Sequence, residues 1–346
     1  MNGPGLSRAG GAGPSDHKAI TLDHQTVMVP ILNHASALSP YAARVRAGGG
    51  GATLLRGDRA LADITFPPQP RFYSLSTADG VPYWKIATLH AADVLATTVL
   101  QTCTRYGNQA TACQFCAIGR SLAAKSTIPE KTPEQLAEVA SAAARLDGVK
   151  HVVLTTGTPK TVDRGASVLA AAAAAIKLKS ALPIQAQCEP PDDFGWFERL
   201  RAAGVDSLGM HLEAVTEPVR RRIMPGKAEV PVSFYLDAFA SAVKVFGRGQ
   251  VSTYVLAGLG DSRSDILEMA ERLIGAGVYP FVVPFVPIAG TALEDAAPPE
   301  PGFLSSVLDG VAELLARSDL RSGEIKAGCG RCGACSTLKA REVARA

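Results

Sequence analysis

From residue 94 onward, short apolar runs alternate with longer stretches that have a helical pattern. The runs lie at residues 94–102, 151–157, 183–189, 206–213, 250–258 and 279–287. Strands that are apolar almost throughout are typical of a parallel sheet covered by helices. The six strand and helix units favour a partial (βα)6 barrel, an α/β fold, over a complete barrel of eight units. Ligands of such barrels bind at the C-terminal ends of the strands.

Several of the helices carry start signals. Thr132 to Gln135 predicts a capping box with proline at the first helical position, and Ser262 to Asp265 precedes another helical stretch. Asp192 and Asp193 come before a third. The apolar run at 168–176 predicts a buried helix, since a membrane span needs roughly 20 such residues.

The pattern before residue 90 is different. Residues 18–90 contain short strand-like segments, including 71–90, and predict a small β-rich lobe that covers one end of the barrel. Residues 1–17 are rich in glycine and proline and lack an apolar segment, so they predict a flexible tail and not a signal peptide. The barrel is expected over 91–318 and a separate C-terminal segment over 319–346.

Charge and cysteine usage narrow the functional classes. The formal net charge is +3, from 35 Lys and Arg against 32 Asp and Glu, and no basic block occurs, so neither nucleic acid nor a membrane is expected as a partner. Six of the seven cysteines lie in two tight clusters, which favours metal binding in a reducing compartment over disulfides. We therefore expect a cytoplasmic protein.

The first cysteine cluster is the stretch CTRYGNQATACQFCAIG, which contains Cys103, Cys113 and Cys116. It follows the first predicted barrel strand directly, where a parallel barrel binds its ligands. A structural zinc site requires four ligands and disulfides require pairs, so three thiols indicate a group with one coordination position left open. A zinc site completed by Cys188 is the alternative.

A strand followed by this three-cysteine loop resembles the radical S-adenosylmethionine (SAM) superfamily. The resemblance implies that Cys103, Cys113 and Cys116 hold a [4Fe-4S] cluster, with Phe115 beside it, and that the fourth iron binds SAM. It also implies radical chemistry on a small-molecule substrate and a flavodoxin- or ferredoxin-type reductant. The superfamily's usual spacing has three residues between the first two cysteines, whereas nine separate them here. Nine residues reach up to about 30 Å, so the loop can still close on one cluster.

The resemblance implies further SAM contacts on the second and third strands. Thr155, Thr156 and Gly157 stand where the superfamily carries a glycine-rich turn whose backbone receives the SAM amino group. Glu189, at the end of the third strand, is a candidate for contact with SAM or substrate.

Strand four, GMHLEAV, and the following VRRRIMPGKAEV are similar to a region of lipoyl synthases and biotin synthases. By that similarity His211 and Glu213 approach the ribose, and an arginine among 220–222, with Arg221 as the choice, binds the carboxylate. The turn AGLGDS implies that Gly258 and Gly260 lie near the adenine. A run of arginines is also typical of a solvated helix face, and Glu213 has the alternative of a structural carboxylate.

The tail contains a second cluster, AGCGRCGACS, with Cys329, Cys332 and Cys335. Its spacing is like that of bacterial ferredoxin runs and predicts an auxiliary [4Fe-4S] cluster, with zinc or a redox-active tail as alternatives. Three thiolates leave one iron open, and we expect substrate to anchor there, with sulfur donation as the competing role. Cys188 is a core residue, the auxiliary cluster's fourth ligand or a substrate contact.

Residues 70 to 340 together resemble an uncharacterised radical SAM family related to biotin and lipoyl synthases and often encoded beside nitrilase-superfamily enzymes. This implies hydrogen abstraction from a small nitrogen-containing metabolite. Sulfur insertion is the alternative, and a non-catalytic electron-transfer or redox-sensing protein is another. The N-terminal lobe offers polar or aromatic side chains that line a pocket or serve as turn and packing residues: Asp79, Tyr83, Trp84, Lys85 and His90.

Overall fold

The computed structural model of the chain describes residues 17–31, 33–48 and 51–345. The predicted flexible tail, residues 1–17, lies outside the described residues except for His17. Within the described part of the chain, every helix is too short or too polar to cross a membrane.

The N-terminal strands form a five-stranded antiparallel sheet in the order β2-β1-β5-β4-β3. Its first hairpin turns at Asp23 and His24, which both have positive φ, as the tightest hairpin turns require. A one-turn helix, α1, begins where the Asn33 side chain accepts a hydrogen bond from the backbone N–H of Ser36. The elements are β1 (His17–Leu22), β2 (Gln25–Pro30), α1 (His34–Ala37), β3 (Tyr41–Val45), β4 (Gly51–Arg56) and β5 (Arg59–Thr65).

The strand-like prediction for residues 71–90 is wrong for most of its length. The segment contains a 3-10 turn at Arg71–Ser74, a one-turn helix α2 (Tyr83–Ile86) and only one strand, β6 (Thr88–His90). The turn forms because the Asp147 carboxylate accepts the backbone N–H groups of Arg71 and Phe72. Strand β6 then pairs with the larger sheet and not with the N-terminal one.

The larger sheet has seven strands in the order β12-β11-β10-β9-β8-β7-β6. All pairs from β7 to β12 are parallel, and only β6 runs antiparallel to its neighbour. The predicted partial (βα)6 barrel is therefore confirmed. The parallel strands are β7 (Val94–Thr98), β8 (His151–Thr155), β9 (Ile184–Gln187), β10 (Ser207–Gly209), β11 (Val251–Ala257) and β12 (Val278–Pro284).

Helices cover the outside of this sheet, and capping boxes are present at two of the predicted helix starts. The Thr132 hydroxyl accepts from the backbone of Gln135, whose side chain returns the bond, and Ser262 and Asp265 form the same pair. The helices are α3 (Ile118–Ala123), α4 (Pro133–Asp147), α5 (Ala166–Lys179), α6 (Trp196–Ala202), α7 (Glu217–Ile223), α8 (Pro225–Ala228), α9 (Val232–Phe246), α10 (Arg263–Gly275), α11 (Pro301–Ala316), α12 (Cys329–Cys332) and α13 (Leu338–Val343).

The apolar run at 168–176 is helical as predicted, but it is not buried on all sides. Leu169, Ala172 and Ile176 face the core, whereas Ala171 and Ala174 are exposed. Alanine is small enough to be tolerated on either face of a helix. The sequence of this run therefore does not show which side of the helix packs against the sheet.

The C-terminal segment crosses the N-terminal end of the barrel. The backbone N–H of Gly328 donates to Nδ1 of His151, the first residue of β8, and the N–H of Ala327 donates to the hydroxyl of Ser207, the first residue of β10. Farther along, the N–H of Met28 in β2 donates to the carbonyl of Ala334, which joins the tail to the small sheet. The tail is thus held in place against the N-terminal end of the barrel.

Candidate active site

The first cysteine loop lies at the C-terminal end of β7, as expected. A hydrogen bond from the N–H of Cys116 to the carbonyl of Cys113 closes a turn. The Gln114 backbone and side chain donate to the carbonyls of Ile223 and Arg222, which ties the loop to α7. Burial raises the pKa of Cys116 to about 11 and also raises that of Cys113. Both thiols are therefore protonated at neutral pH, and a metal group has to displace their protons.

A cavity of about 990 Å³ occupies the inside of the half-barrel and is closed on one side by the small sheet. Apolar side chains of the small sheet, such as Ile20, Met28 and Ile64, form that wall. Both cysteine triplets line this cavity: Cys103, Cys113 and Cys116, and Cys329, Cys332 and Cys335. The structure therefore brings together two clusters that are more than two hundred residues apart in sequence.

Glu189 is buried at the end of β9 and holds two partners on one carboxylate oxygen. Its Oε1 accepts from the guanidinium of Arg105, which lies in the cysteine loop, and from the hydroxyl of Thr158 at 2.7 Å. Its other oxygen, Oε2, is buried and has no hydrogen-bond partner among the described residues. The ion pair fixes the cysteine loop against the third strand.

Glu213 forms a second buried ion pair. It adopts a left-handed backbone conformation with φ of 63°, which turns the chain where it leaves strand β10. Its Oε2 lies 2.6 Å from Nζ of Lys227 in α8, and the two side chains are only 16% and 9% exposed. Burial lowers the pKa of Lys227, but the charge of Glu213 outweighs this and raises it, so the lysine stays charged.

His211 is neutral. Its Nδ1 accepts a hydrogen bond from the backbone N–H of Tyr254 at 3.2 Å, so the Nε2 atom carries the proton. That Nε2 is buried without a partner in the described part of the chain. Burial and the nearby charge of Lys227 lower the His211 pKa to about 3. The ring meets that of Tyr254 edge to face, with centroids 4.5 Å apart.

The turn after β8 also lies against the cavity. Thr155, Thr156 and Gly157 all line it, and Phe115 lines it from the opposite loop. At Gly157 a Cβ atom would lie 2.0 Å from the carbonyl oxygen of Thr102, so only glycine fits there. The turn and the cysteine loop are therefore in direct backbone contact.

Three predicted SAM contacts are not brought to the cavity. Arg221 is exposed on α7 and does not line the cavity. Of the three consecutive arginines in this helix, only one faces inward. That one is Arg220, whose guanidinium donates to the carbonyls of Leu212 and Val230 in the interior. Gly258 and Gly260 are exposed turn residues whose positive φ angles, 110° and 124°, serve the turn itself.

The tail triplet lies among the side chains of the barrel interior. Cys329 and Cys332 pack against Val94, Ala96 and Val153 of the first two parallel strands. Burial raises the pKa of Cys332 to about 12, and it raises those of Cys329 and Cys335. A Cβ at Gly328 would collide with the Gln185 side chain, so the glycine before Cys329 permits this close approach.

Polar side chains surround the sulfurs of this triplet. The Gln187 amide donates to Sγ of Cys329 at 3.2 Å. Nε2 of His90 lies 3.5 Å from Sγ of Cys335. Burial and the nearby His17 lower the pKa of His90 to about 4, so the ring is neutral.

Sequence reasoning missed several of these residues. Arg105 and Lys227 form the two buried ion pairs, and neither was named as a site residue. Both lie inside the cysteine-loop and strand-four motifs, but the motifs do not show which carboxylates they pair with. Of the five lobe residues named as pocket candidates, only His90 lines the cavity. Cys188 is buried in the main core, its backbone N–H donates to the carbonyl of Gly209, and burial raises its pKa to about 12.

The residues present fit an iron–sulfur cluster and a polar ligand. All seven cysteines are free thiols, and each triplet offers three of them to one cavity. Glu189 Oε2 and His211 Nε2 are buried polar atoms that find no partner among the residues the structure describes, which is costly unless a bound ligand completes the site. Within the described ranges, no three His, Cys, Asp or Glu side chains converge closely enough to hold a single metal ion.

Relatives of known function match parts of this chain. Bacteriochlorophyllide c C-7(1)-hydroxylase of Chlorobaculum limnaeum is 34% identical over 135 residues, which are 38% of this chain and 33% of that protein. Lipoyl synthase of Geobacillus sp. (strain WCH70) is 30% identical over 173 residues, 48% of this chain and 54% of that protein. The chain thus spans about a third to a half of the length of these curated relatives.

The fold has a solved counterpart in methylornithine synthase, with a TM-score of 0.50 at 16% identity over 71% of this chain and 68% of that one. The sequence model of the Radical SAM superfamily matches residues 102–273. The match begins one residue before the first cysteine of the loop and extends through the fifth parallel strand into α10. Because this fold and this match coincide over the strand ends that form the cavity, the chain belongs to the radical SAM superfamily of enzymes.

Proposed function

We propose that this enzyme cleaves SAM reductively at a [4Fe-4S] cluster on Cys103, Cys113 and Cys116 and abstracts hydrogen from a small nitrogen-containing metabolite. A second [4Fe-4S] cluster on the tail triplet serves the same reaction. A flavodoxin- or ferredoxin-type protein supplies the electron, and the enzyme works in the cytoplasm, the compartment that keeps such thiols reduced. The proposed unit is the barrel of residues 91–318 with the tail of residues 319–346.

The observation that carries this proposal is that both cysteine triplets line one cavity. A volume of about 990 Å³ is at the upper end of the range for ligand sites, so it suits a cofactor and a small substrate together. A protein that only transferred electrons between two clusters would need no such space. The shared cavity therefore favours an enzyme over an electron-transfer or redox-sensing protein.

The surrounding side chains supply binding and orientation. When bound, the cluster and SAM supply the 5'-deoxyadenosyl radical. Lys227 and Glu213 present a fixed ion pair at the end of the fourth strand, where the resemblance puts the ribose. Glu189 Oε2, which has no hydrogen-bond partner in the described part of the chain, can accept from an amino group, and SAM and the proposed substrate each carry one. Arg105 forms an ion pair with that carboxylate beside the cysteine loop.

Sulfur insertion is the second candidate, because the chain is similar to a lipoyl synthase over 173 residues. In that reaction the auxiliary cluster would be consumed, so each protein would turn over about once before repair. Hydrogen abstraction alone would leave the cluster intact. Sulfide content after turnover therefore separates the two.

The decisive experiment combines metal analysis with SAM cleavage. The protein is reconstituted anaerobically with iron and sulfide, reduced, and assayed for 5'-deoxyadenosine. We expect about eight irons per chain, four for each triplet. Replacing Cys113 and Cys116 by Ala should halve the iron and abolish SAM cleavage, since it removes the SAM cluster.

The matched control replaces Cys329 and Cys332 by Ala. This variant should also lose half the iron but should still cleave SAM in the absence of substrate. If the wild-type protein binds only about four irons, with zinc at the tail triplet, the proposal of an auxiliary cluster is wrong. If neither the reduced wild-type protein nor the reduced tail-triplet variant produces 5'-deoxyadenosine, the proposal of radical chemistry is wrong.

A further inference from the structure

The arginine run of α7 has no role in the cavity beyond the structural one of its first member. Arg220 turns inward and donates to backbone carbonyls, whereas Arg221 and Arg222 are exposed. Within the described ranges, neither exposed guanidinium forms an ion pair with a carboxylate. Arg222 donates only to the backbone carbonyl of Leu259. Two positive charges of this helix therefore face solvent without local neutralisation.

These two arginines lie beside the cysteine loop. Gln114, the residue after Cys113, donates from its backbone to the carbonyl of Ile223 at 2.8 Å and from its side chain to the carbonyl of Arg222 at 2.6 Å. The Ile223 side chain belongs to the apolar cluster that Cys113 and Phe115 contact. A continuous path of hydrogen bonds and packed side chains thus joins the exposed end of α7 to a cysteine of the SAM cluster.

A third arginine flanks the loop on its other side. Arg120 is exposed in α3, which begins two residues after Cys116. Its guanidinium lies against Gly290, where a Cβ would overlap it. The same segment touches the cysteine loop, because the backbone N–H of Leu293 donates to the carbonyl of Gln114 at 3.3 Å. Like the other two exposed arginines, Arg120 pairs with no carboxylate of the described residues.

Acidic side chains of the adjoining segment offset only part of this charge. Glu294 turns its Oε2 atom to the backbone N–H of Gly290 at 2.5 Å, and Asp295 is exposed. The loop itself contributes an aromatic ring, that of Tyr106, which is 37% exposed and rests on Gly119. Arginine and tyrosine are enriched where proteins bind each other. We call this region the loop surface, which consists of Tyr106, Arg120, Arg221 and Arg222.

A protein that delivers electrons has restricted access to the SAM cluster. The small sheet covers the open side of the half-barrel, and the tail crosses the N-terminal end. The cysteine loop, in contrast, has an exposed stretch at residues 107–110 on the outer side of the barrel. Electron transfer slows steeply with distance, so a donor has to bind where the ligands of the cluster come closest to solvent.

We infer that the loop surface is the docking site of a flavodoxin-type electron donor, which presents an acidic face to the three arginines. This inference rests on the proposed function. In each transfer the reduced flavin loses one electron and the oxidised cluster gains it, and no covalent bond forms or breaks. Opposite charges on the two faces speed the encounter and fix its orientation. A small set of charged contacts suits a redox partner that must dissociate after each transfer.

The test compares two reductants on the full chain, reconstituted with iron and sulfide. One is photoreduced flavodoxin, an acidic carrier protein, and the other is excess dithionite, a small ion that needs no docking face. Arg120→Glu and Arg221→Glu are combined in one variant, which reverses two charges without breaking an ion pair. We expect the KM for flavodoxin in 5'-deoxyadenosine formation to rise by about tenfold or more at low ionic strength. The dithionite-driven rate should stay at the wild-type level.

Arg272→Glu is the matched control. Arg272 is an exposed arginine in the last turn of α10, also without an ion pair among the described residues. Because α10 leads from the end of β11 to the start of β12, this turn lies at the opposite end of the barrel from the cysteine loop. The control should keep the wild-type KM. Arg221→Glu alone should give a smaller rise than the double variant, and it keeps the test valid if the double variant folds poorly.

Ionic strength gives an independent measurement. Salt screens exposed charges over about 10 Å at 0.1 M, so added salt should raise the KM of the wild-type protein for flavodoxin. The double variant should respond much less, since the attraction has already been removed. An equal salt response in both proteins would contradict a docking role for these arginines.

The other outcomes are also decisive. A KM that is unchanged in both the single and the double variant, or raised as much by Arg272→Glu, would overturn the docking site. A parallel loss of the dithionite-driven rate would place the arginines in the site itself and would overturn it too. Flavodoxin that does not reduce a wild-type protein which dithionite activates would overturn the acidic donor. All of these results leave the proposed radical chemistry standing, whereas absence of 5'-deoxyadenosine with both reductants would overturn that chemistry and the docking site with it.

Discussion

Gly157→Ala tests whether the turn after β8 supports the cysteine loop. The new Cβ would lie 2.0 Å from the carbonyl oxygen of Thr102, and ordinary contacts begin at 3.4 Å. The Thr102 backbone must therefore move by the difference, about 1.4 Å, because a carbonyl group cannot rotate away as a flexible side chain can. Thr102 directly precedes Cys103, so the first ligand moves with it. Metal ligands tolerate displacements of about 0.2 Å.

We expect Gly157→Ala to lose most of the SAM-site iron, so that the reconstituted protein falls from about eight irons to about four. Overpacking at this contact should also destabilise the cluster-free protein by about 1–3 kcal/mol. Iron and sulfide analysis and urea denaturation measure the two effects. Gly302→Ala is the control, since a Cβ in that first turn of α11 meets nothing within 4 Å, and it should leave both quantities near wild type. Full iron content with an unchanged denaturation midpoint in Gly157→Ala would refute the reasoning.

Glu213→Ala should weaken SAM binding by about 1–3 kcal/mol, a 5- to 150-fold rise in Kd, measured by titration of the reconstituted protein. It also leaves Lys227 charged and unpaired, and an unchanged Kd would make Glu213 a purely structural carboxylate. Glu342→Ala should loosen the tail and cost about 2 kcal/mol or more in urea denaturation, because it strips partners from the Tyr279 hydroxyl and the Ser322 N–H. Unaltered stability would contradict that anchoring role. Burial keeps the pKa values of three histidines, His90, His151 and His211, at about 4, about 4 and about 3, below the 6.5 of an unfolded chain. The cluster-free protein should therefore keep its full stability at about pH 8 and lose about 4 kcal/mol by about pH 5.5, and a flat profile over that interval would show that the rings are not buried as neutral groups.

The strands and capped helices of the barrel could be predicted from the sequence, because each is encoded by a local pattern. The apolar runs at 151–157 and 250–258 became β8 and β11, and the Thr132 and Ser262 caps formed as predicted. Local pattern failed at 71–90, where aromatic residues spaced for a strand pack instead through short helical turns. The first of those turns depends on Asp147, a carboxylate from a distant helix.

The sequence by itself determined the barrel, its cysteine loop and the family, since these follow from periodicity and from a compact motif. Only the tertiary structure decided which arginine of the run faces inward, because consecutive helical residues point in directions about 100° apart and the run is identical at all three positions. It also decided the pairs that complete the cavity, Arg105 with Glu189 and His90 with Cys335, which lie 84 and 245 residues apart in the chain. Contacts of that range depend on how the strands and the tail pack together, and no local pattern specifies them.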